Sequence, residues 1–239
     1  MKFGILLASA SLALAGCTAK HAFDDDSTPD AGGKPETGST SNEAGDDAAM
    51  DDDTGPADTG PAPCVYPAGP YGFTGMAGSW QGATIPPNFQ WSGYLKGSSQ
   101  IQTLSAKDLY DCDGRNGINA IVFDMSALWC GPCQQEAQQV PSWMQTWGPI
   151  GVVFVNLIVE DAAHNKATTA AALTWRNQFN LGPVADVVAD PNFSFAHGGT
   201  NGLPTNVLVD PRTMKVTKVV EGYTGQQDPA VTALANKNK

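Results

Sequence analysis

The sequence predicts an α/β fold, and three observations along the chain support this prediction. The β-branched apolar run at 118–125 has the composition of a strand, and the almost continuously apolar run at 151–159 is typical of a parallel strand that is buried on both faces. The stretch between them, 134–147, has a helical pattern, so the three segments form a strand–helix–strand unit with parallel strands. Two cysteines, Cys130 and Cys133, lie between the first strand and the helix. Because sites in open α/β sheets lie at the carboxyl ends of the strands, this pair is predicted at the reactive edge.

The other elements follow from local signals. Upstream of the cysteine pair, the residues 89–95 and 101–104 are predicted to form a pair of strands. Downstream, the pattern predicts a helix, two short strands joined by a hairpin turn, and a final helix, which in order are 167–180, 206–209, 215–221 and 229–236. Gly182 and Pro183 end the first of these helices. Pro141, which has no N–H to donate, is predicted to break the helix at 134–147.

The stretch Trp129-Cys130-Gly131-Pro132-Cys133, called the CGPC motif below, predicts a dithiol that is oxidised and reduced repeatedly. At the start of a helix, unpaired N–H groups and the helix dipole stabilise a cysteine thiolate. A zinc site would need a second pair of ligands. The other cysteines stand alone, and the three histidines form no ligand pair: His21, His164 and His197. No metal and no other cofactor is therefore expected, and His164 and His197 are interpreted as surface or loop residues.

The amino-terminal residues predict export. A basic start is followed by an apolar run at 3–15 and small residues before Cys17, which is the order of a secretory signal. The run is shorter than the roughly 20 residues that span a bilayer. Leu14-Ala15-Gly16-Cys17 is similar to the bacterial lipobox, which implies that residues 1–16 are removed and that Cys17 is lipidated. The same resemblance implies a location on the periplasmic side of the outer membrane, because Thr18 stands where inner-membrane lipoproteins commonly have an aspartate; the cell surface is the alternative. An ordinary signal peptide that contains a cysteine is the competing interpretation.

Residues 18–63 differ from the rest of the chain. They carry Asp or Glu at twelve positions and only two lysines, so they hold most of the formal net charge of −11. Since this segment cannot bury enough surface to offset its ordering entropy, we predict a lipid-anchored disordered linker over 17–63 and a folded domain over 64–239. The acidic runs lack EF-hand spacing, which disfavours calcium binding. No basic patch is present, so nucleic acid is not an expected partner.

The cysteine count predicts a second disulfide. Five cysteines would leave one thiol unpaired in an exported protein. Lipidation of Cys17 leaves the CGPC pair and two others, Cys64 and Cys112. Because the compartment beyond the inner membrane permits disulfides, a structural bridge between Cys64 and Cys112 is predicted. Two unrelated buried thiols are the alternative.

The CGPC motif after an apolar strand resembles the active site of the thioredoxin superfamily. Asp124 lies six residues before Cys130, at the position of that family's buried acid. Gly202-Leu203-Pro204-Thr205, just ahead of a strand, is similar to the loop that carries the family's cis-proline. The resemblance covers roughly residues 80–239. It implies a thioredoxin-like fold, with a central mixed sheet flanked by helices.

Two further features resemble the secreted TlpA/ResA-like branch of this superfamily. Glu136 follows Cys133 by three residues, and a long segment separates Asp161 from Asp190. The resemblance implies an N-terminal extension and a helical insertion. Many members of this branch have Asn where this chain has Asp124, and Met125-Ser126 replaces the aromatic pair that is usual before the motif.

The residues of the predicted site divide into reacting groups and substrate contacts. Cys130 is predicted to be the exposed nucleophile and Cys133 the buried thiol that resolves a mixed disulfide. Asp124 is predicted to take the proton of the resolving thiol, the alternative being a satisfied polar residue at a strand end. The predicted substrate contacts are Trp129, Gly131, Pro132, Leu203 and Pro204. A cis Pro204 would leave the backbone of Leu203 free to pair with an extended substrate. For Trp129 the alternative is core packing, and for Pro204 it is an ordinary trans bond.

Together these features predict a lipid-anchored, extracytoplasmic thiol–disulfide oxidoreductase. Its expected partners are cysteine-containing exported proteins, a membrane electron donor or acceptor for the dithiol, and the membrane through the lipid anchor. The Gly-Pro pair between the cysteines resembles reducing thioredoxins, which favours a reductase. A disulfide oxidase or isomerase is the close alternative, because a reductase at the outer membrane must receive electrons from elsewhere. A thioredoxin-like module that only binds a partner or delivers copper is a third interpretation.

Overall fold

The structure of the chain is a computed structural model that describes residues 64–69, 71–72, 80–195 and 202–239. The predicted signal sequence, Cys17 and the acidic linker lie outside the described residues, as does His197. Within the described ranges, no helix combines the length and the apolar character needed to cross a membrane.

A mixed seven-stranded sheet is the centre of the described part of the chain. In chain order the strands are β1 (Gln90–Tyr94), β2 (Ile101–Ser105), β3 (Ala120–Ala127), β4 (Val152–Glu160), β5 (Asp186–Ala189), β6 (Thr205–Asp210) and β7 (Lys215–Glu221). Across the sheet their order is β2-β1-β5-β4-β3-β6-β7. The strands β3, β4 and β5 are parallel, and every other neighbouring pair is antiparallel.

Helices flank this sheet. They are α1 (Gly131–Trp147), α2 (Thr169–Gln178) and α3 (Pro229–Lys237). The helix α1 connects β3 to the parallel strand β4, and α3 contacts β3, whereas α2 packs against β5 and β1. The fold is therefore thioredoxin-like, as the sequence predicts, with β1 and β2 as the N-terminal extension.

One strand was not predicted. The segment after β4 contributes the expected inserted helix α2, and it also contributes β5, which pairs in parallel with β4. The strand β5 has only four residues, all buried, so it shows no alternation of polar and apolar side chains. It also follows closely on Gly182-Pro183, which indicates a loop. A short run of this kind is not distinguishable from a buried loop by pattern alone.

The predicted break of the helix at Pro141 is wrong. The helix α1 is continuous over Gly131–Trp147 with Pro141 inside it. Proline removes one backbone hydrogen bond. Apolar residues on both sides of the proline are buried, spaced three or four apart on one face of the helix: Ala137, Val140, Met144 and Trp147. Their burial holds both halves of the helix against the rest of the domain and offsets the lost hydrogen bond.

The N-terminal extension joins the rest of the sheet where β1 pairs with β5, and at one position in this pairing the two backbones lie too close together to admit a side chain. Gly93 in β1 lies opposite Val188 in β5. A side chain at Gly93 would collide with the Val187 carbonyl oxygen and the Val188 Cα atom. Glycine is therefore required for β1 and β5 to pair closely.

The first described residues are attached near the end of the extension. Cys64 and Cys112 form a disulfide in the structure, with Cα atoms 5.8 Å apart. This is the pair for which the cysteine count predicts a bridge. The Tyr110 hydroxyl donates a hydrogen bond to the Val65 carbonyl oxygen at 2.8 Å. The Tyr66 and Tyr110 rings also contact, with centroids 5.1 Å apart. These contacts fix the chain next to Cys64 on the folded domain.

A cluster of polar contacts around Arg212 lies at the amino end of β3. The Arg212 guanidinium forms an ion pair with the fully buried Asp111 carboxylate at 3.2 Å. It also donates hydrogen bonds to the Ile118 carbonyl oxygen at 2.8 Å, the Asn119 side-chain oxygen at 2.9 Å and the Asn238 carbonyl oxygen at 2.7 Å. The buried charge of Asp111 is thus paired, and the last helix is held to the start of the central strand.

Candidate active site

The CGPC motif lies at the junction of β3 and α1. Cys130 is the N-cap of α1, with extended backbone dihedrals, and its sulfur accepts a hydrogen bond from the Cys133 N–H at 3.3 Å. Gly131 and Pro132 form the first helical positions, where a proline costs no hydrogen bond. Cys130 and Cys133 are joined by a disulfide in this structure, with Cα atoms 5.3 Å apart. The first sulfur therefore lies at the positive end of the helix, where a thiolate is stabilised.

The predicted exposure of Cys130 is wrong. Both Cys130 and Cys133 have 0% of their surface exposed. The Cys130 sulfur lies 3.6 Å from the carbonyl oxygen of Leu203, which is itself buried. The surface beside the disulfide consists of the exposed Gly131 and the partly buried Trp129. A partner thiol therefore reaches Cys130 only when neighbouring groups move.

The loop before β6 has the geometry that the resemblance implies. The bond between Leu203 and Pro204 is cis. The Thr205 hydroxyl donates to the Gly202 carbonyl oxygen at 2.7 Å, and the Gly222 N–H donates to the Pro204 carbonyl oxygen at 2.7 Å. These bonds fix the loop on both sides of the proline. Leu203 is thereby placed against Cys130, across 73 residues of sequence.

Asp124 lies fully buried in β3, between two asparagines of the neighbouring strands. In the sheet register it pairs with Asn156 on β4 and Asn206 on β6. Its carboxylate accepts hydrogen bonds from the Ser126 hydroxyl, at 2.9 and 3.1 Å, and from the Asn156 amide. Of the described lysines and arginines, none forms an ion pair with it. Burial raises the pKa of Asp124 to about 7, against the opposing effect of the two hydrogen bonds.

Glu136 is a second buried acid of the same site. It lies in the second turn of α1, is 2% exposed, and accepts a hydrogen bond from the Asn206 amide at 2.7 Å. Burial, together with the nearby negative charge of Asp124, holds the pKa of Glu136 well above its usual range. Asn206 therefore lies between the two acids, beside one in the sheet and bonded to the other. Ionisation of either carboxyl group disfavours ionisation of its neighbour.

A cavity of about 210 Å³ adjoins Glu136. Its walls include Trp143 from α1 and Tyr223 from the segment after β7, and its rim includes the exposed Gln226. Burial and the Glu136 charge raise the pKa of Tyr223. The cavity gives the buried Glu136 carboxyl group a route toward water, which an acid that exchanges protons requires.

Two residues hold the Trp129 side chain: Glu160, the last residue of β4, and His164, in the loop that follows β4. Its indole N–H donates to the buried Glu160 carboxylate at 2.6 Å. The His164 ring stacks on the indole with centroids 4.7 Å apart and an interplanar angle of 30°. The His164 Nδ1 atom also lies 3.8 Å from a Glu160 carboxylate oxygen. Trp129 is therefore half-buried in a defined position, which neither of the two predicted roles specified.

Four residues of the site were missed in the sequence. The interpretation of His164 as a loop residue agrees with its 61% exposed side chain, but its ring also contacts Trp129. No sequence signal connects residues 35 apart across a loop. The missed residues are Asn156, Glu160, His164 and Asn206. The two asparagines beside Asp124, Asn156 and Asn206, do carry a signal in the sequence, because each is a polar residue within an apolar strand.

One group of described side chains places potential metal-ligand atoms close together: Cys64, Cys112 and Asp113. Both sulfurs of this group are bonded to each other in the disulfide, so neither is available as a thiolate ligand.

No protein-family model and no curated protein matches the chain. Among solved structures, it is similar to a putative thiol:disulfide interchange protein DsbE from Chlorobium tepidum, with 24% identity, a TM-score of 0.42, and coverage of 66% of this chain and 94% of that one. For MTB dsbF the identity is 20%, the TM-score 0.44 and the coverage 65% and 100%. For a Plasmodium vivax 2-Cys peroxiredoxin the values are 12%, 0.49, 66% and 80%. At these identities the chemistry has to be inferred from this chain's own residues.

Proposed function

We propose that this chain is a thiol–disulfide oxidoreductase that reduces disulfides of exported proteins through Cys130 and Cys133. One observation carries the proposal: the dithiol lies at the junction of β3 and α1, and each of these elements carries a buried acid without a paired cation among the described residues, Asp124 on β3 and Glu136 one helical turn after Cys133. A structural disulfide would need neither acid. Burial raises the pKa of both carboxyl groups, and that of Asp124 to about 7, which suits Asp124 to accept and return a proton near pH 7.

The first step is attack by the Cys130 thiolate on one sulfur of a substrate disulfide. A bond forms between the Cys130 sulfur and that sulfur, and the substrate's S–S bond breaks. The second substrate sulfur leaves as a thiolate. The first-turn N–H of Cys133, which points at the Cys130 sulfur, stabilises the attacking thiolate.

The second step is attack by the Cys133 sulfur on the Cys130 sulfur of the mixed disulfide, which forms the Cys130–Cys133 bond, breaks the bond between Cys130 and the substrate, and releases the substrate sulfur as a thiolate. The Cys133 thiol must lose its proton, and Asp124 is the proposed acceptor, with Glu136 as the neighbouring acid. The substrate leaves with both sulfurs reduced, and the chain holds the Cys130–Cys133 disulfide seen here. Two electrons have passed to the substrate, so a dithiol donor at the membrane is required to regenerate the protein.

The substrate contacts are proposed on the two sides of Cys130. On one side, Leu203 is the proposed contact for an extended segment of the substrate, which has to displace Leu203 from its buried position against the Cys130 sulfur. On the other side, the proposed contacts are Trp129 and the first helical residues Gly131 and Pro132, which the structure leaves partly or fully exposed. A substrate that binds here displaces part of the cover over Cys130.

A trapping experiment tests the proposal. The Cys133→Ser variant of the full chain is expected to accumulate mixed disulfides through Cys130 when it is reduced and mixed with an extract of exported proteins. Cys130→Ser is the matched control and should trap nothing. Equal, negligible trapping by both variants would show that disulfide exchange is not the function.

The reduction potential tests the direction. A value near that of thioredoxin, about −270 mV, agrees with a reductase, whereas a value near that of DsbA, about −120 mV, would replace the reductase with an oxidase. Equilibration of the Cys130–Cys133 pair with glutathione buffers of defined ratio measures it.

We further propose that Cys17 is lipidated and holds the domain on the periplasmic side of the outer membrane. The lipobox-like sequence and the acidic segment before Cys64 support this proposal. Cys17→Ser should release the protein from the membrane fraction without change in its exchange activity in solution. Retention of the variant in the membrane would contradict the anchor.

A further inference from the structure

Trp129 is fixed beside Cys130 by contacts from a different part of the chain. The indole N–H donates to the Glu160 carboxylate at 2.6 Å, a short charge-assisted hydrogen bond. Glu160 ends β4 and is 3% exposed, so its carboxylate is a fixed acceptor. One edge of the indole is thereby tied to the sheet.

His164 covers one face of the same indole. Its ring lies 4.7 Å from the Trp129 ring in a nearly parallel arrangement, and its Nδ1 atom lies 3.8 Å from the Glu160 carboxylate. The two contacts orient His164 toward both partners at once. Most of the His164 side chain, 61%, is nevertheless exposed, so burial does not explain its position.

The loop that carries His164 is built to present it. The Asp161 carboxylate accepts hydrogen bonds from the backbone N–H groups of Ala163 at 2.8 Å and Asn165 at 2.9 Å. These bonds also lower the pKa of Asp161. His164 itself has a left-handed backbone, with φ of 64°, a conformation that costs a side-chain-bearing residue energy. The loop therefore holds the His164 imidazole over the Trp129 indole at the conformational energy cost of a left-handed residue.

We propose that His164 is a positioning residue of the dithiol site, which together with Glu160 clamps the Trp129 indole in the orientation that meets a protein substrate. This inference rests on the proposed function for its effect on exchange, but the clamp itself is a property of the structure. The clamp acts on docking of a polypeptide next to Cys130. A small disulfide makes no use of that surface and is insensitive to it.

Two substitutions of His164 separate stacking from backbone strain. Asn adopts the left-handed conformation readily but cannot stack, whereas Phe stacks but is strained there. If the clamp matters, H164N loses function and H164F retains it. If His164 is only a loop residue, H164F is the more damaged variant and H164N resembles wild type.

The first readout is the position of the indole. The Trp129 indole N–H resonance in a ¹H–¹⁵N NMR spectrum, identified by its loss in W129F, should shift and broaden in H164N and stay near its wild-type position in H164F. An unchanged Trp129 resonance in H164N would overturn the clamp. This readout does not depend on whether the chain exchanges disulfides.

The second readout is single-turnover exchange by the pre-reduced full chain. With insulin as substrate, H164N should raise the half-saturating concentration by about 2- to 10-fold, the range expected for one lost aromatic contact, with little change in the maximal rate. With bis(2-hydroxyethyl) disulfide, wild type, H164N and H164F should react equally. A shifted Trp129 resonance in H164N without any change in insulin exchange would overturn the positioning role. Failure of the wild type with both disulfides would overturn the proposed function instead, and the NMR comparison would still decide the clamp.

Discussion

A disulfide and a buried carboxyl group lie at each end of β3. Comparing the two ends distinguishes groups that stabilise the fold, at the amino end, from groups that can react, toward the carboxyl end. At the amino end, Asp111 is paired with the Arg212 guanidinium, and the neighbouring Cys112 closes a loop of 48 residues. Toward the carboxyl end, Asp124 has only neutral hydrogen-bond donors, and the CGPC disulfide joins two cysteines that are three positions apart. A long loop and a paired charge stabilise a fold. A short loop and an unpaired acid leave both groups free to change state.

The first way to break this comparison is to remove the cation at the amino end. Arg212→Met should lower the free energy of unfolding by about 3–5 kcal/mol, because the buried Asp111 carboxylate is left without its partner. Urea unfolding with both disulfides intact measures this loss. In the Asp111→Asn/Arg212→Met double variant the loss should be smaller than the sum of the single losses. A loss below about 1 kcal/mol in Arg212→Met would mean that the cluster is not a stability element.

The second way is to open the long loop. The Cys64→Ser/Cys112→Ser double variant should lose about 3–4 kcal/mol of unfolding free energy, the chain-entropy value for 48 residues. Its rate of disulfide exchange through Cys130 should remain that of the wild type. Thermal denaturation and the insulin assay, on the same preparation, check the two statements. Slower exchange in this variant would connect the two ends of β3, contrary to the comparison.

Asp124→Asn tests the carboxyl end. Resolution of the mixed disulfide at pH 7 should slow by about 10- to 100-fold, since one of the two buried acids can no longer take the Cys133 proton. Quenched-flow measurement of mixed-disulfide decay gives this rate. Unchanged decay would transfer the role of acceptor to Glu136.

The same variant has a predicted effect on stability against pH. The folded-state pKa of Asp124, about 7, lies above the unfolded value of about 3.9, so the folded chain holds this proton more tightly. The free energy of unfolding therefore decreases as pH rises from about 4 to about 7, where the group ionises at a cost. Asp124→Asn should flatten this decrease and be more stable than wild type at pH 8. Equal stability profiles of the two proteins would show that Asp124 ionises in the fold without penalty.

The smallest effect is expected from an exposed charge at the amino end. Lys237 lies 3.7 Å from the Asp210 carboxylate, but its side chain is 71% exposed. Lys237→Ala should change the free energy of unfolding by less than about 0.5 kcal/mol, as is usual for surface ion pairs. Comparison of Lys237→Ala with Arg212→Met should show that the loss of unfolding free energy depends on the burial of an ion pair more than on the distance between its charges.

Much of this architecture could be predicted from the sequence, and the limits have physical causes. The apolar strands β3 and β4 were predictable because burial on both faces requires continuous apolar runs. The four-residue strand β5 was not, because its length carries no periodicity. Pro141 was misjudged because its local cost is visible in the sequence and the packing that offsets it is tertiary.

The site divides in the same way. The CGPC motif and the proline at 204 were predictable because they are local in sequence. The contact of His164 with Trp129 depends on how one loop returns to the start of α1, which no local pattern encodes. The burial of Cys130 was also missed, since the carbonyl oxygen against its sulfur comes from Leu203.

Gly93 has a consequence for how this chain can vary in evolution. Even a methyl group there meets backbone atoms of β5, which no change of rotamer can move aside. Position 93 is therefore restricted to one amino acid, although it lies in the extension and bears no reactive group. An invariant glycine at this point in related sequences would record the close approach of two strands, and it would mark which relatives attach their N-terminal hairpin in the same way.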